Sequence, residues 1–156
     1  MKSLIRQLLF GEPIEKLYYR ALRYTKRGFF FSYIAIFCIK KINRNFSCYL
    51  SAKASVGAGI KFPHPVGVVI GDGVVISERV TIYQNVTLGA ARVGEGERGL
   101  YPKIGSDVVI FAGAKVIGDI TIGNGATIGA NAVVTKSVPD NTSAVGIPAK
   151  IIESEK

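Results

Sequence analysis

His64 is the single histidine of this 156-residue chain, and it stands between Pro63 and Pro65 in the segment FPHPVG, residues 62–67. An imidazole titrates near neutrality, so one held on a stiff turn can take the proton of a hydroxyl and pass it to a departing group. The prolines restrict the backbone on both sides, and Gly67 lets another stretch of chain approach closely. The competing assignment is a structural histidine bonded to a backbone carbonyl. The two cysteines, Cys38 and Cys48, are ten residues apart with no CxxC pattern. Neither a disulfide framework nor a zinc ribbon is indicated, and both thiols are expected reduced and buried.

The elements that must position His64 follow a six-residue step. Ile70, Ile76, Ile82 and Leu88 are six apart, and Ile104, Ile110, Val116, Ile122, Ile128 and Val134 resume the step. Gly is the next residue after several of them (Gly71, Gly89, Gly105, Gly123, Gly129). A short fixed period means a solenoid, in which stacking alone buries the inward side chains. Three hexads make one coil of a three-sided parallel β-helix. The repeat is expected from about residue 47 to 137, with Leu50, Val56, Phe62 and Val68 sharing its first frame. The frame slips by two between Val68 and Ile70, beside His64. From Leu88 to Ile104 the step is sixteen residues instead of six, so a Gly- and charge-rich loop, residues 91–101, should be extruded and mobile. Residues 138–156 read as an extended tail punctuated by Pro139 and Pro148.

Residues 1–46 form a different module. They hold ten basic and two acidic side chains, while the rest of the chain holds ten and nine, so nearly all of the net charge of +9 lies here. Ile14, Leu17, Tyr18, Ala21, Leu22 and Thr25 share one helix face. The apolar run Phe29 to Ile39 covers eleven residues, short of the roughly 20 that cross a bilayer. Two roles stay open for this module: packing on the solenoid or a neighbouring subunit, or peripheral contact with anionic lipid. The N-terminus lacks a signal-peptide pattern, so a cytoplasmic location, including the inner face of the cytoplasmic membrane, is expected. No nucleic-acid motif accompanies the basic residues.

The stretch from Phe62 through TLGAA, then YPKIGSDVVIFAGAKVIGDITIGNGATIGANAVVTKSVPDNTSAVGIPAKII, resembles the catalytic domain of bacterial serine acetyltransferases and related left-handed β-helix O-acetyltransferases. The resemblance covers about residues 50–152. It implies a left-handed parallel β-helix with a short α-helical N-terminal module, assembled as a homotrimer, with acetyl-CoA as co-substrate and no metal. It places His64 on the catalytic base, which activates the acceptor hydroxyl for direct attack on the thioester. A backbone N–H near Gly89 and Ala90 would meet the oxyanion. The pantetheine arm would run near Ala112, Gly113 and Ala130, and the tail residues Val145, Gly146, Pro148 and Lys150 would sit near the adenine end. Lys136 and Lys150 are candidate phosphate partners, or merely solubilising lysines.

Serine acetyltransferases carry an Asp before the catalytic His, where this chain has Pro63; an Asp fifteen residues upstream, where it has Tyr49; and a second His, where it has Tyr101. Tyr101 either donates to the acceptor or packs on the loop, and Tyr49 could hydrogen-bond His64. Asn85, in YQNVTLG, resembles an Asn of sugar O-acetyltransferases, though corner asparagines usually bond one another. Without those carboxylates an ammonium lacks a counter-charge, so the expected acceptor is a saccharide hydroxyl, free or lipid-linked, of surface-polysaccharide biosynthesis. L-Serine and a xenobiotic hydroxyl are the alternatives. Zinc carbonic anhydrases share this fold but need three histidines, which one per chain supplies only on a threefold axis. A scaffold without activity is the remaining non-enzyme reading.

Overall fold

A computed structural model describes residues 12–27 and 29–153. The first eleven residues of the expected N-terminal module, Gly28 and the last three residues lie outside them. Helix α1, Ile14–Thr25, follows Pro13, and its Glu15 and Arg23 complement the helix dipole at the first and last turns. Its inward face is Ile14, Leu17, Tyr18, Ala21 and Leu22. Thr25, expected on that face, is exposed, and its hydroxyl donates to Ala21 O at 2.9 Å. Helix α2, Phe29–Phe46, continues past the lysines that close the apolar run. Ala35, Cys38 and Ile42 are buried on it, whereas Phe31, Ile34, Ile36 and Phe37 are exposed.

Helix α1 covers the open end of the solenoid, as an unpaired terminal coil requires. Tyr18 Oη donates to Ser51 O at 2.9 Å, and Tyr19 Oη donates to Gly57 O at 2.6 Å while accepting from Ile60 N at 3.1 Å. Glu15 Oε1 accepts from Phe62 N at 3.0 Å, two residues before His64.

The solenoid has three faces of short strands. One face stacks β1 (Tyr49–Leu50), β3 (Val69–Ile70), β6 (Thr87–Gly89), β9 (Lys115–Ile117) and β12 (Val133–Val134). A second stacks β2 (Ser55–Val56), β4 (Val75–Ile76), β7 (Lys103–Ile104) and β10 (Thr121–Ile122). The third stacks β5 (Thr81–Ile82), β8 (Val109–Ile110), β11 (Thr127–Ile128) and β13 (Thr142–Val145), with β14 (Lys150–Glu153) antiparallel on β13. All other pairings are parallel, and the hexad residues Ile70, Ile82, Leu88, Ile110, Val116, Ile122 and Ile128 are fully buried.

Register shows where the coil is interrupted. Undisturbed coils step 18 residues, as from Val69 to Thr87 or Lys115 to Val133. The step is 28 from Val75 to Lys103, which admits the loop, and 20 from Tyr49 to Val69, which admits two extra residues beside His64. Those two residues lie within Pro63–Gly67, not between Val68 and Ile70 as the frame count implied. Val68 is fully buried because it opens the next face and stacks under Val86; it is not the frame mate of Phe62.

Candidate active site

The edge between the third and first faces carries His64. Its corner residues take left-handed backbone: Gly67 (φ 65°), Asn85 (φ 60°), Gly113 (φ 76°) and Asn131 (φ 56°). Glycine and asparagine are the residues that enter this region at little cost. Each corner is tied to the one below: Asn85 N donates to Val66 O at 2.8 Å, Gly113 N to Gln84 O at 2.9 Å, and Asn131 N to Ala112 O at 2.8 Å. The His64 ring is exposed and tilted against Tyr83, with centroids 6.1 Å apart, and Tyr83 stacks on Phe111 at 5.2 Å. Among the described residues its ring nitrogens have no hydrogen-bond partner.

Ala112, Gly113 and Ala130 follow His64 along the same edge. Val145 ends β13, and Gly146 (φ 93°) turns the tail over the top: Val133 N donates to Gly146 O at 3.0 Å, and Ala149 N to Val133 O at 2.9 Å. Pro148 and Lys150 continue into a cavity of about 350 Å³ at the C-terminal end, which Lys136 also lines. The candidate coenzyme residues thus form one line from His64 to the tail, with Lys136 set apart across the end cavity. Asn85 belongs to the corner itself. Its amide oxygen sits where a Cβ on Gly67 would be, and Asn131 does the same at Gly113, so each amide packs on the glycine of the coil below.

Tyr101, Gly89 and Ala90 lie at the other edge of the first face, where it turns into the second. Within one chain the structure does not bring them to His64. The loop expected to be mobile folds back on Glu95, whose Oε2 accepts from Ala91 N (3.1 Å) and Arg92 N (3.0 Å) while its carbonyl accepts from Leu100 N (3.1 Å). The Tyr101 ring is seated on backbone: a Cβ at Gly71 would lie 2.7 Å from its Cε1, and one at Gly96 2.6 Å from its Oη. Gly89 is paired in β6 and its carbonyl accepts from Gly118 N at 2.9 Å, whereas Ala90 N–H has no partner among the described residues. Tyr49 is exposed on the outside of β1 and forms no hydrogen bond with His64.

Two features escaped the sequence reading. Asp72 lies between Gly71 and Gly73 under the Tyr101 ring, where it accepts from Lys53 Nζ at 2.8 Å and Ser51 Oγ at 2.7 Å. These hydrogen bonds hold its carboxyl below the ordinary carboxylate range. Gln84 Oε1 is buried and has no hydrogen-bond partner among the described residues. The hexad count places Tyr83 and Phe111 in one column; no sequence signal marks the burial of the Gln84 oxygen.

Residues 101–136 match the bacterial transferase hexapeptide family (six repeats). The chain is 42% identical to the serine acetyltransferase of Salmonella typhimurium over 119 residues, 76% of this chain and 43% of that protein. It is 40% identical to that of Haemophilus influenzae over 123 residues, 79% and 45% of the two chains. Among solved structures, a serine acetyltransferase in complex with CoA superposes with a TM-score of 0.78 at 34% identity, covering 89% of this chain and 55% of that one. A soybean serine acetyltransferase complexed with serine gives 0.80 at 36% identity, covering 89% and 56%. The chain is a left-handed β-helix of hexapeptide repeats. It is serine acetyltransferase-like in sequence and in fold, and spans less than half the length of the curated relatives it matches.

These relatives overturn the saccharide expectation. That expectation rested on three substitutions, Pro63, Tyr49 and Tyr101, yet the proteins similar over three quarters of the chain are serine acetyltransferases. Surface-polysaccharide biosynthesis and a lipid-linked acceptor fall with it.

Proposed function

We propose that the chain transfers the acetyl group of acetyl-CoA to the hydroxyl of L-serine. The observation that carries this reading is the 42% identity to serine acetyltransferases across 76% of the chain, with His64 on an exposed turn. His64 takes the hydroxyl proton as the oxygen attacks the thioester carbonyl, which becomes a tetrahedral oxyanion. Collapse of that intermediate expels the CoA thiolate, and the imidazolium returns the proton to the sulfur. The unpaired Ala90 N–H is suited to the oxyanion, where a fixed donor is worth about 2.7–4 kcal/mol.

His64 and Ala90 lie on opposite edges of the first face, so this chemistry requires a second protomer. We infer a homotrimer in which the His64 edge of one protomer meets the loop edge of the next. Ala90, Tyr101 and Asp72 then face His64 across the interface, with Asp72 opposite the ammonium of serine. Acetyl-CoA lies in the groove so formed, its pantetheine arm along Ala112, Gly113 and Ala130, its adenine end by Val145, Gly146 and Pro148, and its phosphates near Lys136 and Lys150.

A cytoplasmic location for the reaction belongs to the same proposal and rests on the likeness to serine acetyltransferases. No helix among the described residues is long and apolar enough to cross a membrane. Peripheral contact with anionic lipid is proposed for the exposed Phe31, Ile34, Ile36 and Phe37 of α2, beside Lys40 and Arg44.

The test is release of CoA thiol from acetyl-CoA with L-serine, hexoses or neither, with O-acetylserine identified by mass. Release with L-serine alone supports the reading. Release only with a hexose, or with no acceptor, overturns it.

A further inference from the structure

His64 stands on a bulge in the coil. Lys61 pairs with Thr81 of the next coil, and Ile82 N donates to Lys61 O at 2.9 Å. Pro63 has no N–H with which to continue that ladder. Pairing resumes at the Gly67 corner, where Asn85 N donates to Val66 O at 2.8 Å. The register therefore sets Pro63, His64 and Pro65 together opposite Tyr83 alone, and Val66 N closes the bulge by donating to His64 O at 2.8 Å. Such bulges re-aim a side chain out of the regular stack, so the imidazole needs support from elsewhere.

That support is aromatic. The exposed His64 ring packs on the ring of Tyr83, with centroids 6.1 Å apart and planes at 49°, within the range of attractive ring pairs. Tyr83 is stacked in turn on Phe111, at 5.2 Å and 17°. The coil itself does not ask for these rings. Phe111 has Gly129 as its counterpart in the next coil, whose pairing is equally regular, with Phe111 N donating to Ile128 O at 2.9 Å. Glycine also follows the buried hexad residue at Gly71, Gly89, Gly105 and Gly123. The two aromatic residues thus stand in the two coils immediately beyond His64. A ring wall limits rotation of an imidazole without engaging either nitrogen, so one nitrogen stays free to take a hydroxyl proton.

We propose that Tyr83 is a positioning residue: its ring, braced by Phe111, holds the His64 imidazole in one orientation toward the acceptor hydroxyl. The catalytic part of this rests on the proposed acetyl transfer; the holding of the ring does not. Tyr83→Leu removes the aromatic face and keeps apolar bulk, and Tyr83→Phe keeps the face and removes only the hydroxyl.

Because His64 is the chain's single histidine, ¹³C relaxation at its Cε1–H reads the motion of this ring alone in the full chain. The order parameter should fall in Tyr83→Leu and return in Tyr83→Phe. With L-serine, kcat should fall about two- to tenfold in Tyr83→Leu, the fold-change that one aromatic pair supports, while KM for acetyl-CoA holds and Tyr83→Phe restores the rate. An unchanged order parameter in Tyr83→Leu overturns the proposal, as does an equal loss in Tyr83→Phe. A raised KM for acetyl-CoA with kcat intact also overturns it, since the ring is then a coenzyme contact. Should Tyr83→Leu not fold, Phe111→Leu, which removes the brace behind Tyr83, is held to the same outcomes. Ring-dependent ordering without L-serine turnover in the parent protein supports the holding role and refutes the serine reading, so the two fail separately.

Discussion

Replacing Tyr18 by phenylalanine tests whether α1 seals the solenoid through a hydrogen bond as well as by apolar packing. The Tyr18 side chain is fully buried and its hydroxyl donates to the Ser51 carbonyl at 2.9 Å. Burial also raises the pKa of the phenol well above its ordinary value. The substitution keeps the ring and removes one oxygen, so no apolar contact is sacrificed. What remains is a carbonyl in a residue only 6% exposed, with water excluded from the place its donor held. Orphaning such a group costs about 1–3 kcal/mol, a shift of about five- to 150-fold in the unfolding constant. For a chain of this size that lowers Tm by about 2–4 °C per kcal/mol. Urea titration followed by circular dichroism at fixed protein concentration measures it, with the midpoint falling and the slope unchanged. Val93→Ala, on a fully exposed side chain, is the control. A Tyr18→Phe protein within about 0.5 kcal/mol of the parent, the range of ordinary surface changes, would refute the account of the cap.

Glu15→Ala leaves Phe62 N–H without its acceptor and loosens the turn that carries His64. Loss of about 1 kcal/mol predicts roughly fivefold lower kcat with L-serine and an unchanged KM for acetyl-CoA, and steady-state kinetics checks both. Gly71→Ala puts a methyl 2.7 Å from the Tyr101 ring, and the overpacking should cost about 1–3 kcal/mol by urea titration; no change means the ring is not seated there. Asp72 has a native pKa below its unfolded value, so the stability it contributes is present above the ordinary carboxylate range and lost as pH falls through the lowered value. The pair is partly exposed, so Asp72→Asn should remove less than about 1 kcal/mol at pH 7, and the difference between the two proteins should shrink as the pH falls through the lowered value, as read from urea midpoints. Phe37→Glu, on a side chain 66% exposed, should abolish co-sedimentation with anionic vesicles and leave folding intact; equal sedimentation of both proteins excludes this lipid contact.

The hexad from Ile70 onward was legible because a buried residue every six positions has no other use, and the same count located the loop before Tyr101. It misplaced the slip beside His64. Val68 and Ile70 are both apolar and both buried, and only their partners, Val86 and Leu88, tell which belongs to which position. Helix α1 was visible in its spacing, whereas α2 extends through Lys40 and Lys41 because helical hydrogen bonding does not stop at charge. His64 stood out as a lone histidine between prolines. Its separation from Tyr101 by one whole face did not, since two breaks in one repeat look adjacent until the corners are assigned. Gln84 could not be anticipated, because an unmet acceptor is a property of the packed neighbourhood. Asp72 was hidden in a Gly-Asp-Gly corner that reads as ordinary turn chemistry. The acceptor was misjudged by weighing three substituted positions above the similarity of the rest of the chain.

In the proposed reaction His64 removes the proton of the serine hydroxyl. The most direct measurement of this step is the rate of thiol release from acetyl-CoA with L-serine by the His64→Ala protein, beside its affinity for CoA by calorimetry. The account predicts a fall in kcat of about 10²- to 10⁴-fold with CoA affinity unchanged. Turnover by His64→Ala at the parent rate would contradict it.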